Sequence, residues 1–147
     1  MIRLATSTFL ACCLAACATS SGPTLAEAPI VVPEGKAVVL VYRISALTSA
    51  AYRHNVYLDG KLLASLPSGS FTHIPVTPGT YEVSTGNEKN PRMQSVSINV
   101  ERGETVYVAY SAGRDLSTPA SLRLSDSASS QRYLSGDYRF EAPIIQP

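Results

Sequence analysis

NVYLDGKLLASLPSGSFTHIPVTPGTYEV, residues 55–83, decides the fold. Two extended apolar runs, NVYL and KLLASL, are separated by Asp59-Gly60, the dipeptide that supplies positive φ at both central positions of a type I′ hairpin turn. Residues 70–76 read as a further strand, closed by Thr77-Pro78-Gly79, where proline fixes one φ and glycine frees the next. Residues 80–85 (TYEVST) run on from that turn, which predicts a second hairpin, with Tyr81 as a packing residue whose hydroxyl ties down a strand end. Asp59, Gly60, Pro78, Gly79 and Tyr81 are therefore turn and packing positions.

Upstream, KAVVLVYRI at residues 36–44 is apolar on both faces and β-branched, the pattern of a central strand covered on both sides. Downstream, Gln94, Val96, Ile98 and Val100 alternate with Ser95, Ser97 and Asn99. Residues 101–104 (ERGE) then turn into 105–110 (TVYVAY), so these two runs are predicted to pair antiparallel. No stretch of helical length repeats its apolar residues at helical spacing. About seven short strands with close turn signals give an all-β chain, a small antiparallel β-sandwich. The domain is placed at residues 36–124, with Ser121-Leu122-Arg123-Leu124 as a candidate edge strand in a Ser-rich stretch. Residues 125–147 form a tail whose Tyr133, Leu134, Tyr138, Phe140, Ile144 and Ile145 either dock on the domain or serve a partner. Docking is favoured, because the aromatics are spread over a segment long enough to form a last strand.

The N-terminal segment carries a different signal. Met1-Ile2-Arg3 is a short positive start, residues 4–16 are uncharged, and Leu14-Ala15-Ala16-Cys17 follows. This is the pattern of a signal peptide over residues 1–16 ending in a lipobox, which implies cleavage before Cys17 and lipidation of its thiol. Thirteen helical residues would span roughly 20 Å against the ~30 Å of a hydrocarbon core, too short for a permanent transmembrane helix. Cys12 leaves too short an apolar run before it and Cys13 follows Cys12 where a small residue is expected, so both read as apolar filler. Ala18 is not the Asp that retains enteric lipoproteins at the inner membrane, which favours an outer membrane facing the periplasm in a host with two membranes. Residues 17–35, rich in Ala, Ser, Thr and Pro, read as a lipidated start and flexible tether.

Composition narrows the chemistry. Of the 12 basic residues Arg3 alone precedes Cys17, and all 11 acids follow it, so the part after the leader carries 11 of each. No concentrated basic surface favours nucleic acid. The three cysteines all fall in the first seventeen residues, which leaves the domain without a thiol for disulfide, metal or nucleophile. His54 and His73 stand nineteen residues apart with no metal-ligand spacing around them, and no Gly-x-Ser-x-Gly or Ser-x-x-Lys marks a hydrolase. No catalytic residue, cofactor or metal is expected. The tyrosines in or beside strands, Tyr42, Tyr52, Tyr57, Tyr107 and Tyr110, read as core more than as a contact stripe.

The strand, Asp-Gly turn, strand, Pro-Gly turn and Tyr-x-Val order of residues 55–83 resembles the PEGA-type surface module. With KAVVLVYR before it and ERGETVYVAY after it, residues 36–110 resemble the bacterial lipoproteins of domain of unknown function 2846. That resemblance implies a β-sandwich of the prealbumin or carboxypeptidase-regulatory type and brings no catalytic residues. The expectation for function is a lipid-anchored cell-envelope protein with a non-catalytic binding or structural module, its envelope protein or glycan partner unidentified. Two alternatives differ in what they require. An enzyme or accessory subunit of peptidoglycan or polysaccharide metabolism needs a histidine beside carboxylates in a pocket, whereas a small-ligand carrier needs an apolar cavity of about 300 Å³ or more between the sheets.

Overall fold

The structure is a computed structural model that describes residues 19–113 and 119–145. Among the described residues nine strands form two sheets: β1 (Ala37–Arg43), β2 (His54–Leu58), β3 (Lys61–Leu66), β4 (Ser70–Val76), β5 (Gly79–Asn87), β6 (Asn90–Val100), β7 (Thr105–Ser111), β8 (Ser121–Ser125) and β9 (Arg139–Phe140). A short helix, α1 (Ser127–Leu134), lies between the last two. One sheet has the order β8-β7-β1-β4-β9 and the other β3-β2-β5-β6, the two-layer all-β sandwich that the alternation predicts.

The topology corrects three expectations. β4 and β5 do not pair, and neither do β6 and β7: in both cases the short connection carries the chain from one sheet to the other. β1 lies between β4, to which it is antiparallel, and β7, to which it is parallel. Pairing is also not antiparallel throughout, since β9 runs parallel to β4 as β7 does to β1. The hairpins that form are β2–β3 and β5–β6, with β8 folding back antiparallel on β7.

The first of these turns as the sequence predicts, with Asp59 at φ 48° and Gly60 at φ 75°. No atom stands within 4 Å of where a Cβ on Gly60 would lie, so the demand for glycine is conformational. Gly60→Val is expected to destabilise the protein by about 1 kcal/mol or more in urea unfolding, because a β-branched residue resists positive φ. An unchanged midpoint would show that the turn relaxes at no cost.

β1 is wholly buried, and its two faces meet two different cores. Ala37, Val39 and Val41 point between the sheets, where they join Val56, Leu63, Leu66, Ile74, Val83, Ile98 and Val108. Leu40 and Tyr42 point outward and pack with Phe71, Ala109 and Leu134. The C-terminal segment provides that outer cover. Asp126 caps α1 by accepting the Ser129 N–H at 2.8 Å, which aims Leu134 at the sheet, and Tyr138 and Phe140 pack beside it. Residues 141–145 then close the open side of the sandwich: the Glu141 N–H donates to the Phe71 carbonyl, the Ile144 N–H to the Leu63 carbonyl on the other sheet, and Ile145 packs on the inner core.

The stretch read as a tether also touches the domain. Leu25 and Ile30 pack against the outer core, the Ser20 hydroxyl donates to the Phe140 carbonyl at 2.8 Å, and the Phe140 N–H donates to the Pro23 carbonyl. Glu27 meets Arg139 at 3.3 Å. The reason is physical: two aliphatic side chains in a polar linker find an apolar sheet face within reach. Cys12, Cys13 and Cys17 lie outside the described residues.

Candidate functional site

The alternation that builds the inner core runs on for one more inward position in each strand, and there it turns polar. Arg43 continues the face of Ala37, Val39 and Val41; Tyr110 continues that of Val106 and Val108; His54 precedes Val56 and Leu58; Thr85 follows Val83; Gln94 precedes Val96. At this end the period of two sets five polar side chains over the apolar core. Four of them, His54, Thr85, Gln94 and Tyr110, line a pocket of about 260 Å³ together with Gly86, Asn87, Met93, Ala112 and Ala120.

Arg43 is wholly buried beside it and has no acid partner among the described residues. Its guanidinium donates to the carbonyls of Ser49 at 2.6 Å, Leu66 at 2.9 Å and Tyr52, and to the Ser49 hydroxyl at 2.9 Å. The charge is thus held by neutral oxygens, and burial lowers its pKa. The Tyr110 hydroxyl and His54 Nδ1 are 2.7 Å apart. Burial, and after it the Arg43 charge, hold His54 below the usual imidazole range, while burial raises Tyr110 against the smaller pull of Arg43. Near neutrality the pair is therefore uncharged. The other ring nitrogen, Nε2, has the complementary role: it is a donor when the phenol donates to Nδ1 and an acceptor when Nδ1–H donates to the phenol. Gln94 donates from Nε2 to the Ala120 carbonyl, and its buried Oε1 has no partner among the described residues.

This set can hydrogen-bond and enclose a ligand. The described lining holds no carboxylate, cysteine or lysine beside the imidazole of His54. His73 is remote from it, on the outer face of β4 between the rings of Phe71 and Phe140 at centroid distances of 6.5 and 5.0 Å. The two histidines share no site, and among the described residues no group of three or more His, Cys, Asp or Glu could hold a metal.

Both histidine pKa values are lowered by burial, which gives a pH prediction with a definite sign. The unfolded chain binds protons at an ordinary histidine pKa near 6.5, the folded one only at lower pH. Stability is therefore full above that value and falls as pH drops from it toward the folded pKa values. The unfolding midpoint is expected to fall between pH 7.5 and pH 5, and replacing both histidines with Gln to flatten the fall. A profile with equal slopes in both proteins would assign it elsewhere. The lowered carboxylates of Glu27 and Asp126 act only at more acid pH.

The turn residues fall at strand ends. Asp59 accepts the Glu82 N–H at 2.8 Å, which pins the β2–β3 turn to β5. The Tyr81 hydroxyl donates to the Thr77 carbonyl at 2.7 Å and closes the turn through Pro78 and Gly79. Of the strand tyrosines, Tyr42, Tyr57 and Tyr110 are buried, whereas Tyr52 is 68% exposed. Sequence reasoning had Gln94 on the inward face and missed that Arg43, His54 and Tyr110 join it. The signal was there, in each inward alternation carried two residues further.

Fold and site together define a two-sheet β-sandwich module with a polar pocket at one end. The chain belongs to the family described as "Protein of unknown function (DUF2846)", whose pattern matches residues 33–121. Among solved structures it is similar to the N-terminal domain of AlgF from P. aeruginosa, at 15% identity and a TM-score of 0.41, covering 65% of this chain and all of that one. No curated protein matches it.

Proposed function

We propose that this chain is a lipid-anchored cell-envelope protein, held through Cys17, whose β-sandwich is a non-catalytic binding module with the pocketed end as its binding site. The observation that carries the anchoring is the uncharged run 4–16 ending in Leu14-Ala15-Ala16-Cys17 behind Arg3. Binding rather than catalysis is supported by a lining of neutral imidazole, phenol, amide, hydroxyl and thioether groups. A carrier that encloses its ligand between the sheets finds little support, because the space there is filled by the side chains of the inner core. Two or more acyl chains at about 0.8 kcal/mol per buried methylene make a durable anchor. No helix among the described residues is long and apolar enough to cross a membrane.

Cys17→Ser is expected to accumulate as an unprocessed precursor that takes up no labelled fatty acid, while Cys12→Ser and Cys13→Ser are processed normally. Incorporation of label by the Cys17 variant would overturn the assignment.

A further inference from the structure

The loop between β1 and β2 combines two properties that do not usually go together. It is fastened tightly. Arg43 bonds the carbonyls of Ser49 and Tyr52, the Ser45 N–H donates to the Tyr138 hydroxyl at 3.0 Å, and Ala46 and Ser68 bond each other through both backbone groups of Ala46. Yet the apex it holds out is apolar: Leu47 is 96% exposed and Tyr52 68%. Residues 44–52 (ISALTSAAY) contain no charge. A large apolar side chain held out in solvent on a fastened backbone is prearranged for a partner, since the ordering cost of the backbone is met before binding.

The place where the chain enters identifies that partner. Ser20 is bonded to Phe140, which pairs with Phe71, the second residue of β4, and Ser70 before it pairs with Arg43 at the root of the loop. Cys17 is three residues before Ser20, a reach of at most about 11 Å. A lipid on Cys17 therefore holds the bilayer surface close to this end of the sandwich. Met93, 62% exposed beside the pocket, belongs to the same end. The ion pairs nearby, Arg53 with Glu141 and Arg139 with Glu27, neutralise themselves, so the contact does not call for anionic lipid.

We infer that the 44–52 loop is a second membrane contact, in which Leu47 and Tyr52 enter the interfacial layer of the bilayer and hold the pocketed end of the sandwich toward the lipid. Leucine supplies apolar area and tyrosine sits at the headgroup level, where its ring and hydroxyl are both satisfied. This inference rests on anchoring at Cys17 for its geometry, and its test separates the two.

The full protein is isolated from cells with a genetically encoded fluorescent amino acid in place of Thr48, or in place of Lys61 at the opposite end, and mixed with phosphatidylcholine vesicles carrying a lipid-borne quencher. Intact mass reports whether Cys17 bears lipid. The expected result is quenching at position 48 and none at 61, with Leu47→Asp abolishing the quenching at 48. Lipidated protein with position 48 unquenched overturns the loop contact and leaves the anchor standing. Protein without lipid that is still quenched at 48 upholds the contact and overturns the anchor, and protein without lipid or quenching overturns both. Equal quenching at 48 and 61, or quenching that survives Leu47→Asp, also overturns the contact.

Discussion

Truncation after Ala112 is expected to abolish cooperative unfolding of the protein. The cut removes β8, α1, β9 and the closing segment 141–145, and with them the cover of the outer face of the five-stranded sheet. Leu40, Tyr42 and Phe71, each at most 1% exposed, would then face water. Full exposure of a large apolar side chain costs roughly 1.5–3 kcal/mol, so these three with the lost burial of Leu134 amount to roughly 6–12 kcal/mol. That is the scale of a domain's whole stability, about 5–15 kcal/mol. The free edges of β7 and β4 are a second liability, because each would present unpaired backbone groups to other chains. Thermal unfolding of full-length and truncated chains lacking the leader decides the matter. Equal midpoints would mean that the tail only rests on a domain stable without it.

That the tail belongs to the fold was half visible beforehand. Its aromatic and aliphatic residues were conspicuous, but their target was not, since β1 advertises burial on both faces without saying what covers the second. The strands themselves were legible because inward positions repeat every second residue from Ala37 to Val108. Pairing was not legible where a short turn can either fold a strand back or pass it to the other sheet. Thr77-Pro78 and the 101–104 turn both do the latter. α1 was hidden by composition: SASSQRYL has one strongly apolar residue, and its helical start is signalled by Asp126 alone, through the bond to Ser129. The lipobox remains a reading of sequence, and the pocketed end escaped notice because polar residues at the end of a strand look like the beginning of a loop.

Arg43 ties these features together, and its replacement carries the most specific expectation. Arg43→Met keeps the length and apolar stem of the side chain while removing the buried cation. Relief from burying an ion would by itself favour the variant by several kcal/mol. Against it stand four hydrogen bonds from a charged donor, each worth about 1.5–3 kcal/mol. The Ser49 hydroxyl can turn away, but the carbonyls of Ser49, Tyr52 and Leu66 cannot follow without moving the loop. The balance favours a net loss of about 2–4 kcal/mol in urea unfolding. Arg43→Lys should recover only part of it, because an ammonium cannot span three carbonyls in the plane of a guanidinium. The electrostatic signature is separate from stability. With the Arg43 charge gone, the His54 pKa rises but stays below its ordinary value, because burial is the larger cause of its lowering, and the Tyr110 pKa rises further. Imidazole titration by NMR in Arg43→Met reads this directly. A His54 titration unmoved by the substitution would show that the buried charge does not reach the pocket, and would reduce Arg43 to a peg for the loop.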